Sequence, residues 1–585
     1  MSSAAFSAVP SASGLRDRVL KLPWWSSLKN VTYELCMKYS IHGYKNLVEA
    51  KRMSLEKFIW FVVHVVAASV SLWIVWSTWT EFTDNPTITT LESQNYPIGK
   101  KAFPAVALCN INRISKSRAR QYAIQLAQKS VEQQRLEGNL DAEVTEELIA
   151  RYFANIRYLG RLLDFDIEGN EIFLSFQEEL EVLDPDPLLG MWDVQKTFEY
   201  LRPNCEDLLL SCRFQEVDHN CTELFKARRT GIGVCCVFNS ARPSGDKTDL
   251  ALDAAFPVGI GWKNGLNIVV NTSTADYYYP IMNFPGIFVL LADPMEYADI
   301  TTGNARTEII DPNTENFIRI SVNVYESDSE VKNYAVEKRN CKFSDEDFEE
   351  YRGRYTYTEC LIKCKIKSII DLCGCIPFFM PINHVDLVKN TTLRCTLQHI
   401  PCLNKYRVKW RTITPSVPDI PGLEQEYQDS LNCPQCFSLC GYTQYKLEGT
   451  FNPIIKNPPG GMLQNYTNIT DMSIIRVFYA EDTGLQYKIS VTNTWFDLLS
   501  TFGGLFGLFL GFSIMTVLEI VYFCCFRMYQ YLTRQFDDEE DDLKISIRKE
   551  MYPSRKLPPS YKEIERSLVS GYNRKMKLHE VYEEE

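Results

Sequence analysis

The chain has 585 residues, 45% hydrophobic and 23% charged, with a formal net charge of −12. That balance excludes a disordered or collagen-like chain, and the acidic total argues against a nucleic-acid binder, which carries a basic excess. Nineteen cysteines is a high and odd number for a protein kept in a reducing compartment.

Residues 1–57 hold nine Lys or Arg against four Asp or Glu, and Lys51, Arg52 and Lys57 stand directly before an apolar run. That run, Phe58 to Trp79, has 22 residues and His64 as its one titratable group. About 20 such residues cross a bilayer, so 58–79 is predicted to be a transmembrane helix. No apolar segment precedes it, so it is read as a signal anchor, with no cleaved signal peptide.

Residues 80–494 are polar, carry a net charge of −14 and contain 16 of the 19 cysteines; Cys36, Cys524 and Cys525 lie elsewhere. An even number suits a fully paired domain in an oxidising compartment. Sequons at Asn271, Asn390, Asn465 and Asn468 place the same segment outside the cell. Asn220-Cys221-Thr222 also matches, but its middle residue is a candidate for a bridge. Apolar residues at helical spacing predict two helices in Ser115 to Tyr158, on either side of Gly138-Asn139. β-Branched and aromatic runs predict strands at Asn267 to Asn271, Ile287 to Leu291 and Ile318 to Tyr325. A Ser-x-x-Asp start predicts a helix over Ser344 to Leu372. The outer segment is therefore expected to be one α+β domain.

A second apolar stretch, Trp495 to Phe526, is interrupted by Asp497 and Glu519 and contains Gly503, Gly504, Gly507 and Gly511. It is expected to be a second span in which the glycines allow close helix approach or a break. An ionisable residue such as Glu519 within a span is costly and faces a pore or a partner. Arg527 and Arg534 follow, so the positive-inside bias places both termini in the cytoplasm. In the tail 527–585, the six acids Asp537 to Asp542 read as a solvated run. Pro558-Pro559-Ser560-Tyr561 is an extended motif suited to WW-domain grooves.

At Phe103-Pro104-Ala105-Val106-Ala107-Leu108-Cys109-Asn110 the chain resembles the epithelial sodium channel/degenerin/acid-sensing channel family. The likeness continues through Gly233-Val234-Cys235-Cys236-Val237-Phe238-Asn239, Tyr357 to Cys364, Cys373-Gly374-Cys375-Ile376-Pro377 and Cys433-Pro434-Gln435-Cys436, with Cys440 and Tyr445 after it. The doubled Cys235-Cys236 looks most like the insect pickpocket branch. This resemblance implies a trimeric channel in the plasma membrane: cytoplasmic tail 1–57, helix 58–79, disulfide-rich ectodomain 80–494, pore-lining helix 495–526 and tail 527–585. It implies homo- or heterotrimers with related subunits, sodium ions as the cargo, and first spans facing membrane lipid.

The same resemblance implies the bridges Cys109–Cys235, Cys212–Cys221, Cys341–Cys440, Cys360–Cys436, Cys364–Cys433, Cys373–Cys402 and Cys375–Cys395, leaving Cys205 with Cys236. Nested bridges of this kind would staple the helix of 344–372 to the return strand that feeds the second span. The Cys-x-x-Cys at 433 and 436 has zinc spacing, but an oxidising compartment favours bridges, and no metal or cofactor is expected. Gly511-Phe512-Ser513 matches the family's Gly/Ser-x-Ser selectivity filter, where carbonyls freed by a helix break replace a cation's water. Ser500 matches the small-residue degenerin position near the gate, beside Gly503 and Gly504, and Gly507 matches the position of amiloride block. Glu519 would form an acidic ring below the filter. His42-Gly43 matches the N-terminal gating motif, and Pro558, Pro559 and Tyr561 resemble the tail motif that recruits ubiquitin ligases.

The expected function is a non-voltage-gated, amiloride-sensitive, sodium-permeable channel subunit opened by an extracellular stimulus. Two alternatives share the two-span layout: an ATP-gated-type cation channel and a non-conducting receptor or adhesion protein. The ordered motifs argue against the first, and a recorded current would exclude the second. An ectoenzyme has little support: the histidines are scattered, and no HExxH, Gly-x-Ser-x-Gly or P-loop pattern occurs.

Overall fold

The computed structural model describes residues 43–49, 53–166, 172–185, 192–242, 259–346, 354–381, 393–414, 429–455, 461–464, 466, 469–527 and 529–530, with 32, 33 and 37. Its contacts separate two units: Phe82–Thr492, and Met1–Glu81 with Asn493–Glu585.

In the first of these, the strands are β1 (Thr87–Pro97), β2 (Ala105–Asn110), β3 (Leu209–Phe214), β4 (Val217–His219), β5 (Phe225–Thr230), β6 (Gly233–Phe238), β7 (Leu266–Asn271), β8 (Ile287–Ala292), β9 (Arg306–Ile310) and β10 (Thr314–Ser327). Four two-residue strands follow: β11 (Cys341–Lys342), β12 (Cys375–Ile376), β13 (Leu393–Arg394) and β14 (Ser438–Leu439). The last three are β15 (Tyr442–Pro453), β16 (Met472–Tyr479) and β17 (Thr483–Val491). One sheet runs β1-β17-β10-β16-β7-β3-β4 with β15 on β10, and a second runs β5-β6-β2-β8-β9. β10 organises the larger sheet: β15 lies antiparallel along it, while β16 pairs in parallel with its first half and β17 with its last. Ile318, Ile320, Val322 and Val324 are buried on alternate positions of β10, as expected for a strand with one covered face.

The Phe103–Asn110 motif acquires a physical meaning here. β2 is buried at every position and is flanked by β6 and β8. Phe103 sits just before it, edge-on to Phe214, Phe238 and Tyr479 at ring separations of 5.6, 6.0 and 5.4 Å. It thereby joins residues of both sheets in one core.

The helices of this unit share a second core containing Leu126, Tyr152, Phe176, Phe198, Ile362 and Ile400. Numbered after the apolar helix α1 (Ser54–Asp84), they are α2 (Lys116–Leu136), α3 (Glu146–Ile156), α4 (Ile172–Leu183), α5 (Val194–Leu201), α6 (Tyr357–Cys373) and α7 (Ile400–Tyr406). Ser115, Thr145 and Asp193 cap α2, α3 and α5 with side-chain oxygens, and Gly138 takes φ +103° just after α2.

One expectation is corrected. No helix begins at Ser344: residues 344–346 form a turn closed by Glu346 N–H to the Phe343 carbonyl. The Glu346 carboxylate is taken by Arg339 and by the Phe343 N–H. The helix starts at Tyr357, capped by Thr356, whose Oγ1 accepts from Glu359 N–H. Thr356-x-x-Glu359 was therefore the start signal, and Ser-x-x-Asp was a decoy.

In the second unit, α1 has 31 residues and extends beyond the uncharged run of 58–79. Among the described residues it is the one helix long and apolar enough to cross a membrane by itself. Phe58, Phe61, Leu72, Trp73 and Trp76 are exposed along it. The second apolar stretch is divided into α8 (Trp495–Leu510) and α9 (Ile514–Val521), with a π-helical turn at Tyr522–Arg527.

Candidate functional site

The predicted filter residues form the break between α8 and α9, where the axis bends by 72°. Gly511 ends α8 with φ +67°, a conformation costly for any residue with a Cβ. Its N–H donates to the Gly507 carbonyl at 3.0 Å, and the Phe512 N–H reaches back to Phe506 at 3.1 Å. Ser513 then starts α9: its Oγ accepts from Thr516 N–H, and its own N–H donates to Thr516 Oγ1 at 3.0 Å. Ser513 N–H is thus withdrawn from the helical ladder, so the Phe509 carbonyl does not receive it. A glycine stop followed by a hydroxyl start makes two helices from one apolar run.

The other glycines are placed differently. A Cβ at Gly503 or Gly504 would meet nothing within 4 Å, and one at Gly507 would make only ordinary contact with the Phe512 carbonyl. Packing within the chain therefore does not demand glycine at these three positions. Ser500 is exposed on α8. Asp497, which interrupts the apolar stretch near its start, closes a capping box in which its carboxylate accepts from Thr494 N–H and Oγ1 at 2.9 and 2.7 Å. Glu519 is half-buried on α9.

In the larger unit, cysteines join as Cys109–Cys235, Cys205–Cys236, Cys212–Cys221, Cys341–Cys440, Cys360–Cys436, Cys364–Cys433, Cys373–Cys402 and Cys375–Cys395. These are the pairs that the resemblance implies. Cys524 and Cys525 are free, and Cys36 lies outside the described residues. Cys360 and Cys364 tie one face of α6 to the segment at 433–436, and Cys341–Cys440 joins the ends of the paired β11 and β14. The strand after Cys440 is β15, not the strand that feeds the second apolar stretch. β15 lies on β10, and β10 carries β17, which runs into α8, so the expected staple acts through two strand pairings. β1 continues from α1 and pairs antiparallel with β17, so the chain's exit from α1 and its entry to α8 are neighbours in one sheet.

Sequence reasoning missed the ion pairs that hold α6. Lys365 donates to Asp299 at 2.8 Å, with side chains only 7% and 2% exposed. Arg242 forms a two-pronged pair with Glu359 in the first turn of the helix. The partners are 66 and 117 residues apart, so no local pattern announces them.

Glu296 accepts from Thr358 Oγ1 and Asn304 Nδ2, both at 3.0 Å. Burial first, and then the nearby Asp293 and Glu359 carboxylates, push its carboxyl up to about 7, and burial raises Asp293 as well. A raised carboxyl makes the folded state hold its proton more tightly than the unfolded chain does. Its stabilisation is complete below the ordinary carboxyl range and is lost as pH rises through about 7. Stability should therefore fall between pH 5 and pH 7.5, by on the order of 3 kcal/mol from this group. Thermal unfolding of Glu296→Gln across that range should show a clearly smaller slope; an unchanged slope would remove Glu296 as its source.

Gly43 takes φ +79° before the short helix Tyr44–Val48. A Cβ there would come within 2.9 Å of the His64 ring and 3.2 Å of Trp60, so glycine is required twice over. His42, Asn390, Asn465, Asn468, Pro558, Pro559 and Tyr561 lie outside the described residues. Asn271, at the end of β7, is half-buried, and its Oδ1 accepts from Ser273 N–H.

A sequence family described as amiloride-sensitive sodium channel matches residues 35–523, from before α1 to beyond the break in the second apolar stretch. The chain belongs to that family. It is a family of membrane ion channels, not of enzymes. The chain is 26% identical to the sodium channel protein Nach of Drosophila ananassae, over 86% of this chain and 87% of that one. It is 22% identical to pickpocket protein 28 of Drosophila melanogaster, over 86% and 79%. The bile acid-sensitive ion channel of Rattus norvegicus is also 22% identical, over 88% and 92%. The family member described here thus has a disulfide-rich ectodomain with eight bridges, one long apolar helix before it and a bent apolar pair after it.

Proposed function

We propose that the chain is one subunit of a trimeric, sodium-permeable, amiloride-blocked channel of the plasma membrane, opened by an extracellular stimulus. In this reading α1 crosses the membrane once, α8 and α9 together cross it once, and both termini are cytoplasmic. The observation that carries it is the interruption at Gly511-Phe512-Ser513 inside an apolar segment. Irregular backbone at membrane depth is tolerable where it lines a water-filled path or is buried in protein. Three copies would bring three such breaks together, and their freed carbonyls would replace part of a sodium ion's water. Ser500, Gly503, Gly504 and Gly507 are spaced to share one face of α8, where small residues permit close approach of neighbouring helices. Glu519 would add an acidic ring on the inner side, favouring cations. Gly507 would lie at the blocker site, and the Nach relatives, named as sodium channel proteins, support sodium as the ion.

Partners in the trimer are copies or related subunits. Gly43, with His42, would serve gating at the inner end, and the Pro558-Pro559-Ser560-Tyr561 tail would dock a WW-domain ubiquitin ligase. Asn271, Asn390, Asn465 and Asn468 would carry glycans.

Gly511→Ala tests the filter. Forcing alanine into the left-handed region costs about 1–2 kcal/mol, which should be relieved by reshaping the break. We expect a several-fold lower single-channel conductance or a shifted sodium/potassium reversal potential at normal surface expression. Unchanged conductance and selectivity would place the filter elsewhere.

A further inference from the structure

Arg113 follows β2 and is 6% exposed, and its backbone N–H is fixed on the Tyr279 carbonyl at 2.8 Å. Its Nε and Nη2 have no hydrogen-bond partner among the described residues. Burial lowers the guanidinium to about 10, still charged at neutral pH, and the one titratable group whose field opposes that shift is the phenol of Tyr277. A buried charge left without a counter-charge is among the costliest arrangements in a folded protein.

The side chain borders a small cavity of about 30 Å³, walled also by Asn110, Asn112, Arg202 and Gly233. Among the described residues, no Asp or Glu lines it. The asparagine oxygens are already engaged, Asn110 by Asn112 N–H and Asn112 by the N–H groups of Tyr278 and Tyr279. Gly233 has φ +123°, and a Cβ there would stand 4.0 Å from Arg113 Nη1. Arg202 donates from Nη1 to the Pro203 carbonyl at 3.3 Å but lacks a partner at Nε; burial first, and then the neighbouring Arg118, lower its guanidinium, against the opposing field of Glu199. Arg202 also lines an adjoining cavity of about 560 Å³, together with Lys226, Arg228, Arg229 and Arg242 against Glu199 and Glu296. A basic approach to an acid-free chamber is anomalous in an outer segment whose net charge is −14.

We propose that this chamber is a binding site for one small monovalent anion of chloride's size, held between Arg113 and Arg202 and reached from the larger basic cavity. The volume admits a single water-sized particle. A neutral water would satisfy an N–H group but leave the charge, whereas a halide does both. A carboxylate-bearing organic ligand exceeds the inner chamber.

The purified full-length protein should unfold at a higher temperature in sodium chloride than in sodium gluconate of equal ionic strength, saturably, with bromide substituting for chloride. Arg113→Met should abolish the difference between the salts, and Arg202→Gln should raise the half-saturating chloride concentration at least tenfold. Equal unfolding temperatures of the wild type in both salts, or a chloride response retained in Arg113→Met, would overturn the proposal. Should Arg113→Met not fold, the wild type grown in bromide decides: an anomalous peak between Arg113 and Arg202 supports the site, and none removes it.

Discussion

Ser500→Val should raise the resting cation current sharply. Ser500 is exposed in the N-terminal half of α8, one turn before the open Gly503-Gly504 surface. In the proposed trimer that surface is where closed α8 helices meet, and a β-branched side chain added to a close-packed contact costs about 1–3 kcal/mol. If the cost falls only on the closed state, the open population rises roughly 5- to 150-fold. Whole-cell current normalised to surface protein checks this. A well-expressed variant with unchanged resting current would mean that Ser500 does not face a closing bundle.

Lys365→Met should strongly destabilise the outer unit. Among the described residues, it leaves the Asp299 carboxylate, 2% exposed, with the Thr301 hydroxyl and N–H as donors to its side chain. Removing one partner of a buried pair costs about 3–5 kcal/mol, because the remaining charge stays desolvated. The double variant Lys365→Met with Asp299→Leu should recover much of that loss, since neither charge then remains. Thermal unfolding and surface delivery measure both. A single variant as stable as the parent would show that Asp299 finds another counter-charge.

α6 is anchored by Lys365–Asp299 and Arg242–Glu359, and its bridges reach the segment that enters β15. From there β15, β10 and β17 lead by paired strands to the residues before α8.

Much of this was legible in the residues. The uncharged run from Phe58 announces α1, and the β-branched runs at Asn267, Ile287 and Ile318 fall inside β7, β8 and β10. Local chemistry explains that success, since apolar periodicity and turn residues are short-range signals. The break in the second apolar stretch was half legible. Gly511 and the Ser513-x-x-Thr516 cap are close in sequence, but only the backbone shows that they divide one apolar stretch into two helices. The start of α6 was misread because Ser344 and Thr356 each head a capping pattern, and side chains outside the pattern separate them: Glu346 is drawn to Arg339, whereas the Glu359 carboxylate is held by Arg242 while its N–H meets Thr356. The buried ion pairs and the unpaired Arg113 were illegible, because their meaning rests on partners, or the want of one, far along the chain.

In the proposed channel the interrupted α8–α9 segment conducts cations. The direct measurement is the reversal potential of the full-length protein, expressed alone and with related subunits under a panel of extracellular stimuli. External sodium is exchanged for potassium and then for a large organic cation. The expected result is an inward current carried by sodium, a reversal potential that becomes more negative when sodium is replaced by the large cation, and block by amiloride. A surface-delivered protein that yields no current under any stimulus, or one whose reversal potential follows chloride and ignores sodium, would contradict it.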